Sequence, residues 1–393
     1  MASEKPLRIL HCFRSPVGGI FRHVRDLAEE HAKAGHQVGI LCDSTTGGTY
    51  EDQLFETIMP HLALGLTRLP IRRSLGLSDI TTAVKTFSEV KNLQPDVLHG
   101  HGAKGGAFVR LIGSRLRVSR SCVARFYSPH GGSLHYSAGT LRGHAYFAIE
   151  RLLERWTDSL VFVSDYERRT YEQKVGAPRT EWRLIHNGLR AHEFEPVDNN
   201  PNAADFLYIG MMRDLKGPDV FIEALRRAER LAGRPLRGVM VGDGEDKPRY
   251  QARLDALGLG TRVTMRDAMP ARDAFALART VVIPSRAESM PYIVLEAVAA
   301  GKPVISTKVG GIPEIVGDGF AGFVPPGDSE ALAVAMARAI AEPEWLSAAM
   351  PTMDAFRANF SAQTMAERMT EVYRDCLEGR MRDSSNSHPS SLS

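Results

Sequence analysis

The 393 residues exceed the usual span of one domain, so two domains are expected. With 43% hydrophobic and 24% charged residues, the composition is that of a globular protein with substantial cores, which excludes disordered and fibrous classes. Net charge is only +3, yet residues 1–190 carry 26 Lys/Arg against 18 Asp/Glu while the remainder carries 23 against 28, so a basic first half precedes an acidic second half.

The chain opens with a polar segment, Met1–Pro6, and then Leu7–Phe13, which carries Arg8 and His11 and reads as a strand rather than a secretory signal. Its core, Arg8-Ile-Leu-His-Cys-Phe13, passes through Gly18-Gly19 into Ile20–Gly35, whose apolar spacing is helical. Further strands are expected at Gln37-Val-Gly-Ile-Leu-Cys42, Asp96-Val-Leu-His99, Ser121-Cys-Val-Ala-Arg-Phe126 and Ser159-Leu-Val-Phe-Val-Ser164. Between the second and third of these, Lys104–Arg125 contains Lys104, Arg110, Arg115, Arg117, Arg120 and Arg125 without an acid, and interleaves Phe108, Val109, Leu111, Ile112 and Leu116. A helix there would have one basic and one apolar face, as contact with anionic lipid headgroups requires, and Arg68, Arg72 and Arg73 would extend the patch. Nucleic acid is a poorer match, because no aromatic residue besides Phe108 is interleaved with the basic ones.

Residues 191–204, with Pro196 and Pro201 among Asn and acidic residues, read as a linker closing a first domain of residues 1–190. The same rhythm restarts over residues 205–355, with strands at Asp205-Phe-Leu-Tyr-Ile209, Gly238-Val-Met-Val241, Arg262-Val-Thr-Met265, Val281-Val-Ile-Pro284 and Pro303-Val-Ile-Ser306. Helical patterns cover Asp219–Leu231, Tyr292–Ala300, Glu330–Ala341 and Met350–Glu378. The last of these supplies a helix over 356–379 expected to pack back on the first domain, and the Ser-rich 380–393 is expected to be disordered. Strand-helix alternation in both halves predicts two doubly wound α/β domains with parallel sheets, whose ligands gather at the carboxyl ends of the strands.

The chemistry concentrates in Ser285-Arg-Ala-Glu288-Ser-Met-Pro-Tyr-Ile-Val-Leu-Glu296. Here a strand delivers the chain to a helix that Ser289 is expected to cap, with Pro291 in its first turn. Amides at such a helix start suit a diphosphate. Glu288 and Glu296 would stand on the order of 10 Å apart, a spacing that fits a ligand with hydroxyls at both ends and a diphosphate between. Each carboxylate can accept two hydrogen bonds from a vicinal diol. Gly210-Met-Met-Arg213-Asp-Leu-Lys216-Gly217, after the first strand of the second half, adds two cations able to neutralise a departing diphosphate. Gly18-Gly19 lets backbone approach a ligand closely. His130, in Tyr127-Ser-Pro-His-Gly-Gly132, ends a strand. His99 and His101 have no companion in sequence to complete a metal site, and no Asp-x-Asp stands at a strand end, so no metal is expected. Nor is there a GxGxxG dinucleotide fingerprint.

These motifs, in this order, resemble the retaining glycosyltransferases of the GT-B fold over nearly the whole chain. The resemblance rests on Gly18-Gly19, Pro129-His130-Gly131, Ile185-His-Asn187-Gly188, Gly210…Lys216-Gly217, Val241-Gly-Asp-Gly244, the Glu288/Glu296 pair and Gly310-Gly-Ile-Pro-Glu314. It implies two Rossmann-like domains facing across a cleft, the first binding acceptor and the second a nucleotide sugar, UDP-linked before GDP-linked. It further implies metal-independent hexosyl transfer with retention of anomeric configuration. Catalytic roles fall to His130, Glu288, Arg213 and Lys216, and donor binding to Gly18, Gly19, Arg213, Lys216, Glu288, Met290, Tyr292, Ile293 and Glu296. The family commonly places an Arg directly after the first glycine; Met211 stands there, and the role passes to Arg213. The expected acceptor is a glycan or lipid-linked sugar in exopolysaccharide or other envelope polysaccharide synthesis. A cytoplasmic location is expected, given four widely spaced cysteines without a CxxC and no run of 18 uncharged apolar residues. Two other readings share the layout: a nucleotide-sugar epimerase, and a two-domain sugar-binding protein without chemistry.

Overall fold

The computed structural model describes residues 5–71, 87–118 and 122–386. It divides into two compact units, residues 1–188 with 362–393, and residues 189–361.

Unit 1 holds a seven-stranded sheet in the order β3-β2-β1-β4-β5-β6-β7. Its strands are β1 Arg8–Phe13, β2 Gln37–Asp43, β3 Gly65–Leu69, β4 Val97–His101, β5 Ala124–Ser128, β6 Ser159–Phe162 and β7 Glu181–Leu184. Each recorded pairing is parallel. The period of two along a strand sorts β1 onto two cores. Ile9 packs with Leu27, Phe126, Met365, Met369 and Tyr373 on one face. Leu10 packs with Leu98, Phe108, Val109, Ile112 and Leu116 on the other. The helix Ala362–Asn386 therefore closes one face of this sheet, together with the helix Gly18–Lys33.

Unit 2 repeats the plan with six strands in the order β10-β9-β8-β11-β12-β13. These are β8 Ala204–Ile209, β9 Gly238–Val241, β10 Val263–Arg266, β11 Ala278–Ile283, β12 Val304–Thr307 and β13 Phe323–Val324. The helices Pro218–Ala232 and Ser329–Ala341 cover one face, burying Phe221, Leu225, Leu332 and Met336 against Phe206 and Met240. In both units the strand order reverses beside the first strand, between β1 and β4 and between β8 and β11. Such reversals open a crevice at the carboxyl ends of the strands, where doubly wound sheets bind ligands.

Four expectations need correction. Residues 191–204 are not a free linker. Ala191–Phe194 forms a 3₁₀ turn, Val197 N–H donates to the Ala300 carbonyl at 3.0 Å, and Asn200 N–H donates to that of Ala276 at 2.9 Å, which fastens the segment to unit 2. The single C-terminal helix is two, Met353–Phe360 in unit 2 and Ala362–Asn386 in unit 1, broken at an extended Ser361 whose backbone bridges Leu189. Residues 380–386 are helical rather than disordered; 387–393 lie outside the described residues. Finally, the helix Gly102–Val118 turns its apolar residues inward, with only Leu111 of the five exposed. Two of its bases are spent internally. Arg110 is fully buried, 2.8 Å from Glu150 and stacked 4.0 Å over the Tyr127 ring, and Arg117 bonds Asp158 together with Arg125 of β5. Breaking a pair as buried as Arg110–Glu150 costs about 3–5 kcal/mol, so Arg110 serves the core. Arg72, Arg73 and Arg120 lie outside the described residues.

Candidate functional site

The unit 2 crevice is built by two loops. The first leaves β8 at Gly210 and ends in the 3₁₀ turn Asp214–Lys216; the second leaves β11 and runs from Pro284 to Pro291. Gly217 joins them. At φ +70° it occupies the left-handed region, and a Cβ there would lie 2.1 Å from the Pro284 carbonyl oxygen, so only glycine lets the loops approach. Arg286 N–H donates to the Leu215 carbonyl at 2.8 Å, and its guanidinium grips both Asp219 carboxylate oxygens at 2.9 and 2.6 Å.

This approach carries Lys216 onto Glu288. The Lys216 ammonium donates to Glu288 Oε1 at 2.6 Å and Oε2 at 2.7 Å, and Ser285 Oγ–H adds a third bond to Oε1 at 2.7 Å. The Glu288 side chain is nearly buried and that of Lys216 one-fifth exposed. Two of the three ammonium donors therefore fix the carboxylate, and the third remains for an oxyanion. A further close approach holds Glu288 from behind: at Gly310 (φ +61°) a Cβ would lie 2.1 Å from the Glu288 carbonyl oxygen, and Gly311 N–H donates to the Ser289 carbonyl at 2.7 Å.

Past Glu288 the helix Tyr292–Ala299 begins. Ser289 does not cap it as expected; Pro291, two residues further on, occupies the cap position in extended conformation. Met290 and Tyr292 are buried, while Ile293 and Glu296 are part-exposed. The helix, with the positive end of its dipole, thus begins four residues past Glu288, the partner of Lys216, and both favour an anion. Arg213 stands exposed in the first loop.

Gly18, Gly19 and His130 belong to unit 1. The two glycines open the helix after β1, with Gly18 at φ +66°. His130 follows β5 in the left-handed region (φ +50°), which aims its part-buried ring back at the end of β4. There the structure departs from the sequence reading that His99 and His101 lack companions. Parallel pairing sets His11 beside His99, and the crevice adds His23 and His130, so that two groups, His11/His99/His101 and His23/His101/His130, each bring three ligand atoms within 4.8 Å of one another. His101 Nδ1 lies 3.0 Å from His130 Nε2, and His101 Nε2 lies 3.0 Å from His11 Nδ1. Burial, reinforced by the neighbouring imidazoles, holds His11, His99, His101 and His130 well below the ordinary histidine pKa. Ser285, Arg286, Gly217 and Gly310 were likewise absent from the expected site, although Ser285 and Arg286 lie in its principal motif.

Known proteins resemble both units. The family model "Glycosyltransferase Family 4" matches residues 17–193 and "Glycosyl transferases group 1" matches residues 203–342. The D-inositol 3-phosphate glycosyltransferase of Nocardiopsis dassonvillei is 28% identical over 72% of this chain and 71% of its own length. The glycogen synthase of Mycobacterium tuberculosis is 27% identical over 92% of both. Among solved structures, Anabaena HepE in complex with UDP-glucose superposes with a TM-score of 0.76, 18% identity, and coverage of 94% of this chain and all of that one.

Proposed function

We propose, on the premise that the chain belongs to the GT-B glycosyltransferase family, that it moves a hexosyl group from a nucleotide-diphosphate sugar, UDP-linked in preference to GDP-linked, to a glycan or lipid-linked acceptor. One observation carries this reading: an ammonium and a carboxylate locked together at the carboxyl end of β8 and β11, beside a helix N-terminus. In the reaction the free donor of Lys216 and the first amides of the helix Tyr292–Ala299 meet the diphosphate, whose charge grows as the glycosidic bond breaks. Glu288 accepts from hexose hydroxyls and Glu296, one helical turn past Tyr292, from those of the ribose. Arg213 closes on the phosphates from the outer loop. His130 bonds the donor sugar, and Gly18-Gly19 admits it. With these cations in place no metal is needed at the diphosphate. Retention follows when the departing phosphate deprotonates the acceptor on the face it leaves.

A likeness to HepE solved with UDP-glucose supports UDP as the base. Thermal-shift screening against UDP-, GDP- and ADP-sugars, followed by product analysis, tests the proposal. The expected result is stabilisation by a UDP-sugar and a product of unchanged anomeric configuration, formed equally well without Mg²⁺ or Mn²⁺. Absence of any nucleotide-sugar shift would remove it.

A role in exopolysaccharide or envelope polysaccharide assembly places the acceptor near a membrane. No helix among the described residues is long and apolar enough to cross one. The positive excess of residues 1–190 supports peripheral contact with anionic headgroups on the cytoplasmic face. Sedimentation with anionic vesicles should carry the protein down at low salt and release it at high salt; a protein that stays in the supernatant at low salt rejects this contact.

A further inference from the structure

We propose that His23, His101 and His130 form a three-histidine site for a zinc-class divalent transition metal at the crevice of unit 1. The three residues come from three segments that the sheet brings together: the helix after β1, the last residue of β4, and the turn after β5. Each offers one nitrogen, all within 4.8 Å of one another. A tetrahedral zinc with bonds of about 2.0–2.1 Å spaces its ligands about 3.3 Å apart. His101 Nδ1 and His130 Nε2, at 3.0 Å, already stand near that distance. His23 meets both other rings edge-on, with centroids 5.4 Å from His101 and 4.7 Å from His130.

The supporting bonds are those a metal ligand uses. His23 Nδ1 lies 3.0 Å from Asn187 Oδ1, which only accepts, so the proton sits on Nδ1 and the Nε2 lone pair is left for ligation. His101 is backed in the same way at its other nitrogen, Nε2, by His11 Nδ1. Such a bond on the far side of the ring fixes tautomer and orientation.

The competing group, His11/His99/His101, is less suited. Both nitrogens of His99 are already engaged, Nδ1 with Tyr373 Oη at 2.6 Å and Nε2 with Ser128 Oγ at 2.9 Å, so ligation there forfeits a buried hydrogen bond. Three neutral nitrogens and no carboxylate select zinc, copper or nickel over magnesium and calcium. Three protein ligands leave the fourth tetrahedral position to water.

Metal at His130 would occupy the ring that the proposed function gives to the donor sugar, so the two readings are tested apart: here the metal itself is measured. The full-length chain, stripped with a chelator and dialysed, is titrated with ZnCl₂ by calorimetry and by competition with a chromogenic chelator. One zinc per chain is expected, with no response to millimolar Mg²⁺ or Ca²⁺. His23→Gln should weaken zinc at least 100-fold, and His99→Gln should leave it within about threefold, in variants whose circular dichroism matches the parent. Co²⁺ loading of the unaltered chain gives a readout that needs no variant: intense visible bands of a four-coordinate site are expected. The proposal is overturned by sub-stoichiometric zinc on the parent chain, by a weak six-coordinate Co²⁺ spectrum, or by a folded His23→Gln chain that binds zinc as the parent does.

Discussion

Replacing Lys216 by alanine is expected to lower the rate of sugar transfer about 10²- to 10³-fold, the usual cost of deleting one donor aimed at developing charge. The same change should also destabilise unit 2. It strips Glu288, whose side chain is 7% exposed, of two hydrogen bonds and leaves Ser285 as its one side-chain partner among the described residues. A charged hydrogen bond lost in this setting is worth about 2 kcal/mol. Lys216→Met combined with Glu288→Gln removes both charges at once. It should recover part of that stability while staying inactive, because the penalty lies in the unpaired carboxylate rather than in the absence of the pair. Arg213→Ala provides the contrast. Its side chain is exposed, so it should unfold at the parent temperature while still slowing transfer, which separates loss of rate from loss of stability. Transfer kinetics with thermal midpoints for the four proteins decide the matter. A Lys216→Ala enzyme within threefold of the parent would reject the assignment of this lysine.

How this pair is assembled separates what was legible in the chain from what was not. Glu288 and Glu296 are close in sequence, so they could be read as one motif, although Glu288 lies in the loop before the helix that carries Glu296. Lys216 and Glu288 are 72 residues apart. Their contact depends on Gly217 and Gly310 admitting backbone where any Cβ would collide, a condition that no periodicity expresses. The interior strands β1, β2, β4, β8, β9 and β11 announce themselves as apolar runs because both faces are covered. β3, β7 and β13 lie at sheet edges and were missed. β7 is Glu-Trp-Arg-Leu with three exposed residues, and β13 is two residues long. The histidine cluster was overlooked for a different reason. Its members come from separate segments, and only the pairing of β1 with β4 sets His11 against His99. The available signal was that His11, His99 and His101 all fall near the carboxyl end of a strand at a chain reversal, where a polar residue type is unusual in a buried sheet.

The same cluster predicts acid sensitivity, most cleanly through His31, on the buried side of the helix Gly18–Lys33. It is fully buried, with Nε2 3.3 Å from the Ala366 carbonyl. His11 from β1, His36 from the loop before β2, and Tyr373 from the helix Ala362–Asn386 all face it, at ring separations of 6.0, 6.0 and 5.8 Å. Burial first, then the positive neighbour His36 would become, push its pKa down to about 3 from the ordinary 6.5. A base whose folded pKa is depressed binds more protons when unfolded, so stability rises with pH through this window and is lost as pH falls below about 6.5. Because the folded value lies below 5, the loss at pH 5 depends only on the unfolded one and amounts to about 2 kcal/mol for this single ring. In thermal melts that is a fall of about 4–8 °C between pH 7.5 and pH 5 from His31 alone. His31→Leu fills similar volume without a proton acceptor, so its midpoint should fall by correspondingly less over the same interval, whatever its value at pH 7.5. Parallel pH curves for the two proteins would mean that His31 takes up its proton without unfolding, and that the helix Ala362–Asn386 yields locally to let it.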